Sequence, residues 1–284
     1  MLITKKIQMS DNAFHSLRDM IYARSGMHIP ANKKYLLENR LSRRIEDAGF
    51  ESYDRYIDFL RHDAGKEKEF TSLFNIITTN ETFFFRDAGQ LQAFESVALP
   101  DVIKRLKAKG SKKMRIWSAA CSTGEEPYTL SMMVSDKLSD PEYKDWDIEI
   151  HGSDISEAVL CSARRGEYND YSVRNVTPKH LNKYFMKTES GKYAVKAEIK
   201  KMVRLSNINL ADDATLRMYR GMDIIFCRNV LIYFDEVSKK KVIASLYNSL
   251  VSGGYLFIGH SESLFNITRA FKIVDVNSVL IYQK

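Results

Sequence analysis

The sequence predicts an α/β protein: a mostly parallel sheet with helices on both faces, preceded by a small all-helical region and interrupted by a short antiparallel flap. Three observations predict it. Residues 10 to about 80 keep a helical apolar period with punctuation at each end. From about residue 112, short β-rich runs alternate with helical stretches, as in a sheet built from crossover units. Between two of those runs lies a basic insert, at about 183–203, holding two more β-rich pieces around Ser190 and Gly191.

The elements follow in order. Ser10 can cap a first helix closed by Gly26, and Pro30 and Asn32 precede a second that Gly49 stops. Along that second helix Leu37, Leu41, Ile45 and Ala48 form an apolar stripe, with Lys33, Arg40, Arg43 and Arg44 on the adjoining arc. Ser52 opens a third helix through Tyr56, Phe59 and Leu60, and Phe70, Leu73, Phe74 and Ile77 give a fourth its buried side. The pattern changes near residue 80 without a Gly/Pro-rich linker. Strands are then read at Met114–Ala119, Ile148–Asp154, Val203–Ile208, Asp223–Cys227 and Tyr255–Ile258, with helices from Gly124 to Leu138 and from about Asp235 to Leu250. Phe271–Tyr282 reads as a hairpin turning at Asn277 and Ser278, and Tyr184–Met186 and Tyr193–Val195 are the flap strands.

Composition bounds the function. With 284 residues, 44% hydrophobic and 28% charged, and only five prolines, the chain can bury a core and is neither fibrous nor disordered. The opening MLITKKIQMSDNAF has no apolar run behind its lysines, and no uncharged apolar stretch approaches about 20 residues. A cytoplasmic protein without an export signal or a membrane span is expected. Cys121, Cys161 and Cys227 have neither zinc nor redox-pair spacing, which fits a reducing compartment and no metal. The net charge of +7 favours an acidic partner, either nucleic acid or an acidic protein surface. The excess concentrates between Lys183 and Arg204, where seven basic residues face two acidic ones, although a solvated face accounts for that run equally well.

The polar residues of interest fall at strand ends, where open α/β sheets bind ligands. After the first strand comes WSAACSTGEEPYTL, residues 117–130, whose small residues let backbone approach a ligand. It is neither a G-x-G-x-x-G fingerprint nor a Walker loop, and Glu125 and Glu126 at the helix start suit a cationic group better than a phosphate. A tight turn with acids at the helix start explains the same residues. GSDIS puts Asp154 at the end of the second strand, where a carboxylate commonly accepts ribose hydroxyls; an N-cap role near Ser156 is compatible with that. SNINL places Asn209 after the third strand, and IIFCRNVLIYF delivers Arg228, Asn229 and Tyr233 after the fourth. Packing explains an Arg-Asn pair there poorly, since burying it needs partners. TTNETFFFR, residues 78–86, sets Asn80, Thr82 and Arg86 among Phe83, Phe84 and Phe85; an aromatic wall over a ligand and an interdomain core are both open. His260 in GHSES lacks a hydrolase context, so a structural role is favoured, and the other histidines lack ligand spacing.

Taken in order, TTNETFFFR, WSAACSTGEEPY, GSDIS, SNINL, and IIFCRNVLIYF followed by GHSES resemble the chemotaxis-receptor glutamate O-methyltransferases, the CheR-type family, over nearly the whole chain. The resemblance implies a class I S-adenosylmethionine-dependent methyltransferase sheet, Rossmann-like, in residues 81–284. It also implies a helical N-terminal domain in 1–80 and a three-stranded inserted β-flap. By the same resemblance Asn80, Thr82 and Arg86 contact the cofactor, Arg86 near the methionine end together with Glu126, Asp154 at the ribose, and Asn209 with Leu210 at the adenosine portion. Arg228 and Asn229 line the methyl-transfer pocket beside Tyr233, and Arg86, Tyr233 and Arg228 are the expected catalytic set. Whether Glu125 or Glu126 points inward stays open.

The product is S-adenosylhomocysteine, and no metal is implied. The expected partner is the cytoplasmic helical region of chemotaxis receptors, met by a monomer that binds no nucleic acid and reaches the membrane only through the receptor. A nucleic-acid methyltransferase and a non-catalytic cofactor-sensing adaptor are the rival readings. Two departures from the family stand out: Glu81 within the aromatic segment, and a flap loop, KTESGKYAVK at 187–196, shorter than in relatives that dock on a receptor pentapeptide. A tether-independent enzyme is expected, its basic flap and Arg40, Arg43 and Arg44 meeting the acidic receptor coiled coil.

Overall fold

The computed structural model describes residues 7–143 and 145–284; residues 1–6, from the opening stretch read above for an export signal, and Lys144 lie outside the described residues. The chain forms two compact units, one running to Thr79 and including Tyr233–Ser238, the other comprising Asn80–Ile232 and Lys239–Lys284.

The first unit holds α1 (Asp11–Ser25), α2 (Lys34–Asp47), α3 (Tyr53–His62) and α4 (Lys66–Ile77). The caps are those expected from sequence: Ser10 accepts from Ala13 N, Ser52 accepts from Arg55 N, and Gly26 closes α1 at φ +71° with its N–H on Tyr22 O. Leu17, Ile21, Leu41, Ile45, Tyr56, Leu60 and Leu73 form the core. Ala48, expected on the apolar stripe of α2, is exposed because the helix ends at Asp47 and the chain turns away through Gly49. The basic arc is also not free as a whole. Arg44 pairs with the buried Glu69, which accepts in addition from Tyr56 Oη at 2.9 Å, and Arg40 donates to Ile77 O and Thr79 Oγ1. Lys33 and Arg43, the latter's side chain 90% exposed, are the members of the arc left facing solvent. Tyr233–Ser238 is tied to the end of α1 by His28 N on Tyr233 O and Tyr22 Oη on Asp235 Oδ2.

The second unit is built on β1 (Lys113–Ala119), β2 (Asp147–Asp154), β6 (Val203–Asn207), β7 (Met222–Cys227), β8 (Leu250–Ile258), β9 (Lys272–Val276) and β10 (Val279–Gln283). Their order is β6-β2-β1-β7-β8-β10-β9, parallel from β6 to β8 and antiparallel at β10 and β9. The central strands read as unbroken apolar runs because both faces are covered: every residue of β7 is buried. On one side stand α5 (Ala88–Ala93), a π-helical turn (Phe94–Ala98) and α6 (Leu99–Ala108), none of which was expected from sequence; Phe94, Val102 and Leu106 pack with Ile116, Phe226 and Phe257. Phe226 and Phe257 stack with centroids 4.3 Å apart. The other α-helices among the described residues are α7 (Glu125–Leu138), α8 (Glu157–Arg165), α9 (Asp170–Val173), α10 (Pro178–Tyr184), α11 (Ala197–Lys200), α12 (Asp213–Leu216) and α13 (Glu236–Ser249).

A separate antiparallel sheet, β3-β5-β4, is formed by β3 (Glu167–Tyr168), β4 (Phe185–Lys187) and β5 (Tyr193–Val195). Its third strand, β3, lies ahead of the insert read at 183–203; two residues between α8 and α9 are too short a run to carry a period. Phe84 is fully buried beneath this sheet, edge-on to Tyr168 at 4.8 Å and Phe185 at 5.0 Å. Parallel sheet, helical N-terminal unit and antiparallel flap together are the α/β class expected from sequence.

Candidate active site

The strand order reverses between β1 and β7, and the chain leaves the carboxyl ends of β1, β2, β6 and β7 through loops that meet at one rim. The β1 loop turns through Ala120 at φ +61°, Ser122 at φ +50° and Gly124 at φ +93° before α7 begins. Glycine is required at 124, where a Cβ would meet Ala163 Cβ at 2.8 Å. Asp154, at the end of β2, holds this loop: Ser122 N donates to Oδ2 and Ser156 N to Oδ1, each at 2.9 Å. Only 6% exposed, its carboxyl is pushed above the usual aspartate range by burial, against the pull of the Ser156, Ser122 and Ile155 N–H groups. The cap of α8 is Ser156, whose Oγ accepts from Val159 N, and not Asp154.

The two acids at the start of α7 separate. Glu125 is buried and accepts from Thr123 Oγ1 at 2.6 Å and Ser172 Oγ at 3.1 Å; burial raises its carboxyl as well. Glu126 turns to the β1–β7 seam, accepting from Ser118 Oγ at 2.6 Å and Arg228 Nη1 at 3.1 Å. Arg228, its side chain 3% exposed, also pairs with Asp87 and donates to Arg86 O at 2.9 Å. Arg86 is half-buried, with Nη1 on Glu81 O at 2.9 Å, and Asn80 O accepts from Ser122 Oγ at 3.3 Å.

Direct hydrogen bonds thus join Asn80 through Ser122 to Asp154, and Arg86 through Arg228 to Glu126. Thr82 lies on the same loop as Asn80 and Arg86. Asn209 and the buried Leu210 follow β6, next to β2, where Ile208 N donates to Asp154 O at 2.9 Å. Asn209 Oδ1 accepts from Ala211 N at 3.0 Å. Tyr233 is the exception among the expected residues: it opens the segment that clusters with the helical unit, its carbonyl accepting from His28 N at 2.8 Å.

Sequence reading passed over three contributors. Asp87 completes the shell around Arg228, but its partner is 141 residues away in sequence. Ser118 fixes Glu126 from inside β1. Glu262, in GHSES, accepts from Asn229 N at 3.0 Å, Gly259 N at 2.7 Å and Ile232 N at 3.3 Å, holding the turn after β7. An acid three residues past the end of a strand and its glycine, in a Ser-rich stretch, was the available signal. Strain marks the same rim. Among the described residues seven non-glycines have positive φ; Asn277 and Ser278 make the β9–β10 turn, and the other five, Phe85, Asp87, Ala120, Ser122 and Asn229, all lie in these loops. Each such conformation costs on the order of 1–3 kcal/mol and persists where packing over-determines it, as at ligand sites. No group of three His, Cys, Asp or Glu among the described residues is placed to hold a metal ion.

Comparison with known proteins matches the chain to a family. A family model described as CheR methyltransferase, SAM binding domain, matches residues 80–280, and one described as CheR methyltransferase, all-alpha domain, matches residues 12–78. The chain is 37% identical over 268 residues to chemotaxis protein methyltransferase 2 of Vibrio cholerae serotype O1, covering 94% of this chain and 91% of that one. It is 34% identical over 274 residues to chemotaxis protein methyltransferase 1 of Pseudomonas aeruginosa, covering 95% and 97%. To the chemotaxis protein methyltransferase of Escherichia coli K12 it is 34% identical over 275 residues, covering 95% and 91%.

Proposed function

Since the chain belongs to the CheR methyltransferase family, we propose that it moves a methyl group from S-adenosylmethionine to glutamate side-chain carboxylates of chemotaxis receptors, forming methyl esters for sensory adaptation. The observation that carries the reading is the convergence of Asp154, Glu126 and Arg228 with five strained loop residues at the switch point of a parallel sheet. The residues present fit the donor. Small side chains and the forced glycine at 124 admit a ligand close to backbone, and Arg228 Nε is buried with no hydrogen-bond partner among the described residues. When bound, S-adenosylmethionine supplies an electrophilic methyl on a sulfonium.

The chain's own residues then have defined work. Asp154 accepts ribose hydroxyls on the lone pairs left by Ser122 and Ser156. Glu126 and Arg86 hold the methionine end, Asn80 and Thr82 approach the same ligand from their loop, and Asn209 with Leu210 borders the adenosine portion. Arg228, held by Glu126, Asp87 and Arg86 O, lines the methyl-transfer pocket with Asn229, and Tyr233 is the residue proposed to orient the incoming carboxylate. With a reference pKa of about 4.3 a glutamate is already an anion at neutral pH, so no base is needed. In-line placement at about 3–3.5 Å is worth roughly 7–11 kcal/mol in favourable intramolecular models, which makes positioning the main contribution.

Residues 1–80 form the helical domain in this reading and 81–284 the methyltransferase domain, with the flap at about 183–203. The short 187–196 loop supports recognition without a pentapeptide tether, through the basic flap and Arg43 on the receptor's acidic helices. Radiolabelled methyl transfer to receptor-containing membranes tests all of this: alkali should release the label as methanol. Label that resists alkali, or that enters RNA instead, would overturn the proposal.

A further inference from the structure

The loop carrying Arg86 is clamped by a stack that its role in the site does not require. Tyr171 Oη, on α9, donates to Glu81 Oε1 at 2.9 Å. The Arg174 guanidinium carbon lies 3.5 Å from the Phe83 ring centroid and 3.7 Å from that of Tyr171, and its Nη1 donates to Tyr171 O at 2.6 Å. Arg86 touches both anchored residues, its guanidinium carbon 5.7 Å from the Phe83 centroid and its Nη1 on Glu81 O. Below the stack, Phe84 N donates to Ser172 O at 2.9 Å and Ser172 Oγ to Glu125. The loop is therefore fastened to α9 and its C-cap Arg174 at backbone, carboxylate and ring, and the two residues that Arg86 touches are both anchored there, Glu81 by the carboxylate beyond the carbonyl that Arg86 uses and Phe83 by its ring.

We propose that Tyr171 and Arg174 are positioning residues that set the Arg86 guanidinium through Glu81 and Phe83, so that α9 controls how this chain grips the carboxylate end of its cofactor. The inference rests on Arg86 contacting that end. A planar guanidinium close to two rings can stack on them, which an ammonium cannot reproduce.

The test is calorimetric titration of the full chain with S-adenosylhomocysteine, alongside thermal unfolding. Arg174→Ala should raise Kd by roughly 3- to 10-fold and Tyr171→Phe by roughly 2- to 5-fold, as expected for lost cation–π contacts and one exposed hydrogen bond. Arg174→Lys should restore little. In an Arg86→Ala or Arg86→Gln background neither change should have a further effect, because the residue through which they act is gone. Equal weakening with and without Arg86, or a lower unfolding midpoint with Kd unchanged, would overturn the clamp. If Arg86→Ala and Arg86→Gln fold and bind S-adenosylhomocysteine as the parent does, the assignment of Arg86 itself is wrong and the clamp falls with it.

Discussion

Arg228 Nη1 donates to Glu126 Oε2 at 3.1 Å, so the loop after β7 is locked to the first turn of the helix after β1 across the point where strand order reverses. Ser118 and Asp87 complete the shell, and two carboxylates share one buried guanidinium.

Removing that guanidinium leaves Glu126, its side chain 16% exposed, and Asp87 without their cation. Arg228→Ala should destabilise the protein by about 3–5 kcal/mol, as for other broken buried pairs, and lower methyl transfer in parallel. Arg228→Met combined with Glu126→Gln should recover part of the stability and none of the activity. Urea denaturation and a methyl-transfer assay on the same samples check both; a wild-type midpoint for Arg228→Ala would show that the pair carries no stability.

Asp154 predicts a pH signature. Burial raises its carboxyl, so the folded state favours the protonated form: its contribution to stability is present below the ordinary value of 3.8 and lost as pH rises through the raised one. Accepting a ribose hydroxyl favours the ionised form, so ligand affinity has the opposite sense and falls as pH drops through the raised value. S-adenosylhomocysteine should bind more weakly at pH 5 than at pH 7.5. Asp154→Asn should weaken binding at pH 7.5, flatten the pH dependence, and act on the cofactor KM more than on kcat. A pH slope unchanged in Asp154→Asn would assign it to another group.

The parts legible in the sequence are those governed by short-range rules. The caps of α1 and α3 need only Ser10 and Ser52 before an apolar period, and β7 is an unbroken apolar run. Asp154 and Arg228 were legible because a polar residue directly after such a run has few structural explanations. What escaped depends on partners far apart in the chain. Arg40 and Arg44 read as a solvent-facing arc because α2 alone cannot reveal Glu69 and the Ile77 carbonyl on α4. The helices from Ala88 to Ala108 were passed over although Val102, Ile103 and Leu106 have helical spacing and Pro100 suits a first turn. The π-helical turn ahead of α6 shifts that period by one residue and breaks the pattern.

Glu262 concentrates three backbone N–H groups on one carboxylate and holds Asn229 at φ +58°. Glu262→Ala leaves those donors without their acceptor and should cost about 1–3 kcal/mol; Glu262→Gln, which keeps one acceptor oxygen, should fall between. Amide exchange at Asn229 and Gly259 should quicken in the same order. The turn is tight enough that a Cβ on Gly259 would sit 2.8 Å from Glu262 Oε2 and 2.9 Å from Asn229 N, so Gly259→Ala should mimic the loss. Unchanged exchange in both variants would mean that packing, not Glu262, holds the turn.

Turnover itself should be flat between about pH 6 and 8. On the proposed chemistry the acceptor is a glutamate with a reference pKa of about 4.3, so across that range no proton has to leave the nucleophile, and a base could only add a step. His260, exposed just past the end of β8 and two residues before Glu262, is the alternative base to test, and His260→Ala should leave kcat and its pH profile unaltered. Tyr233→Phe, which removes one hydroxyl and nothing else, should lower kcat by roughly the 2- to 10-fold of a single lost hydrogen bond, equally at every pH. A sloping limb that disappears in His260→Ala would establish a proton transfer and displace positioning as the main source of rate.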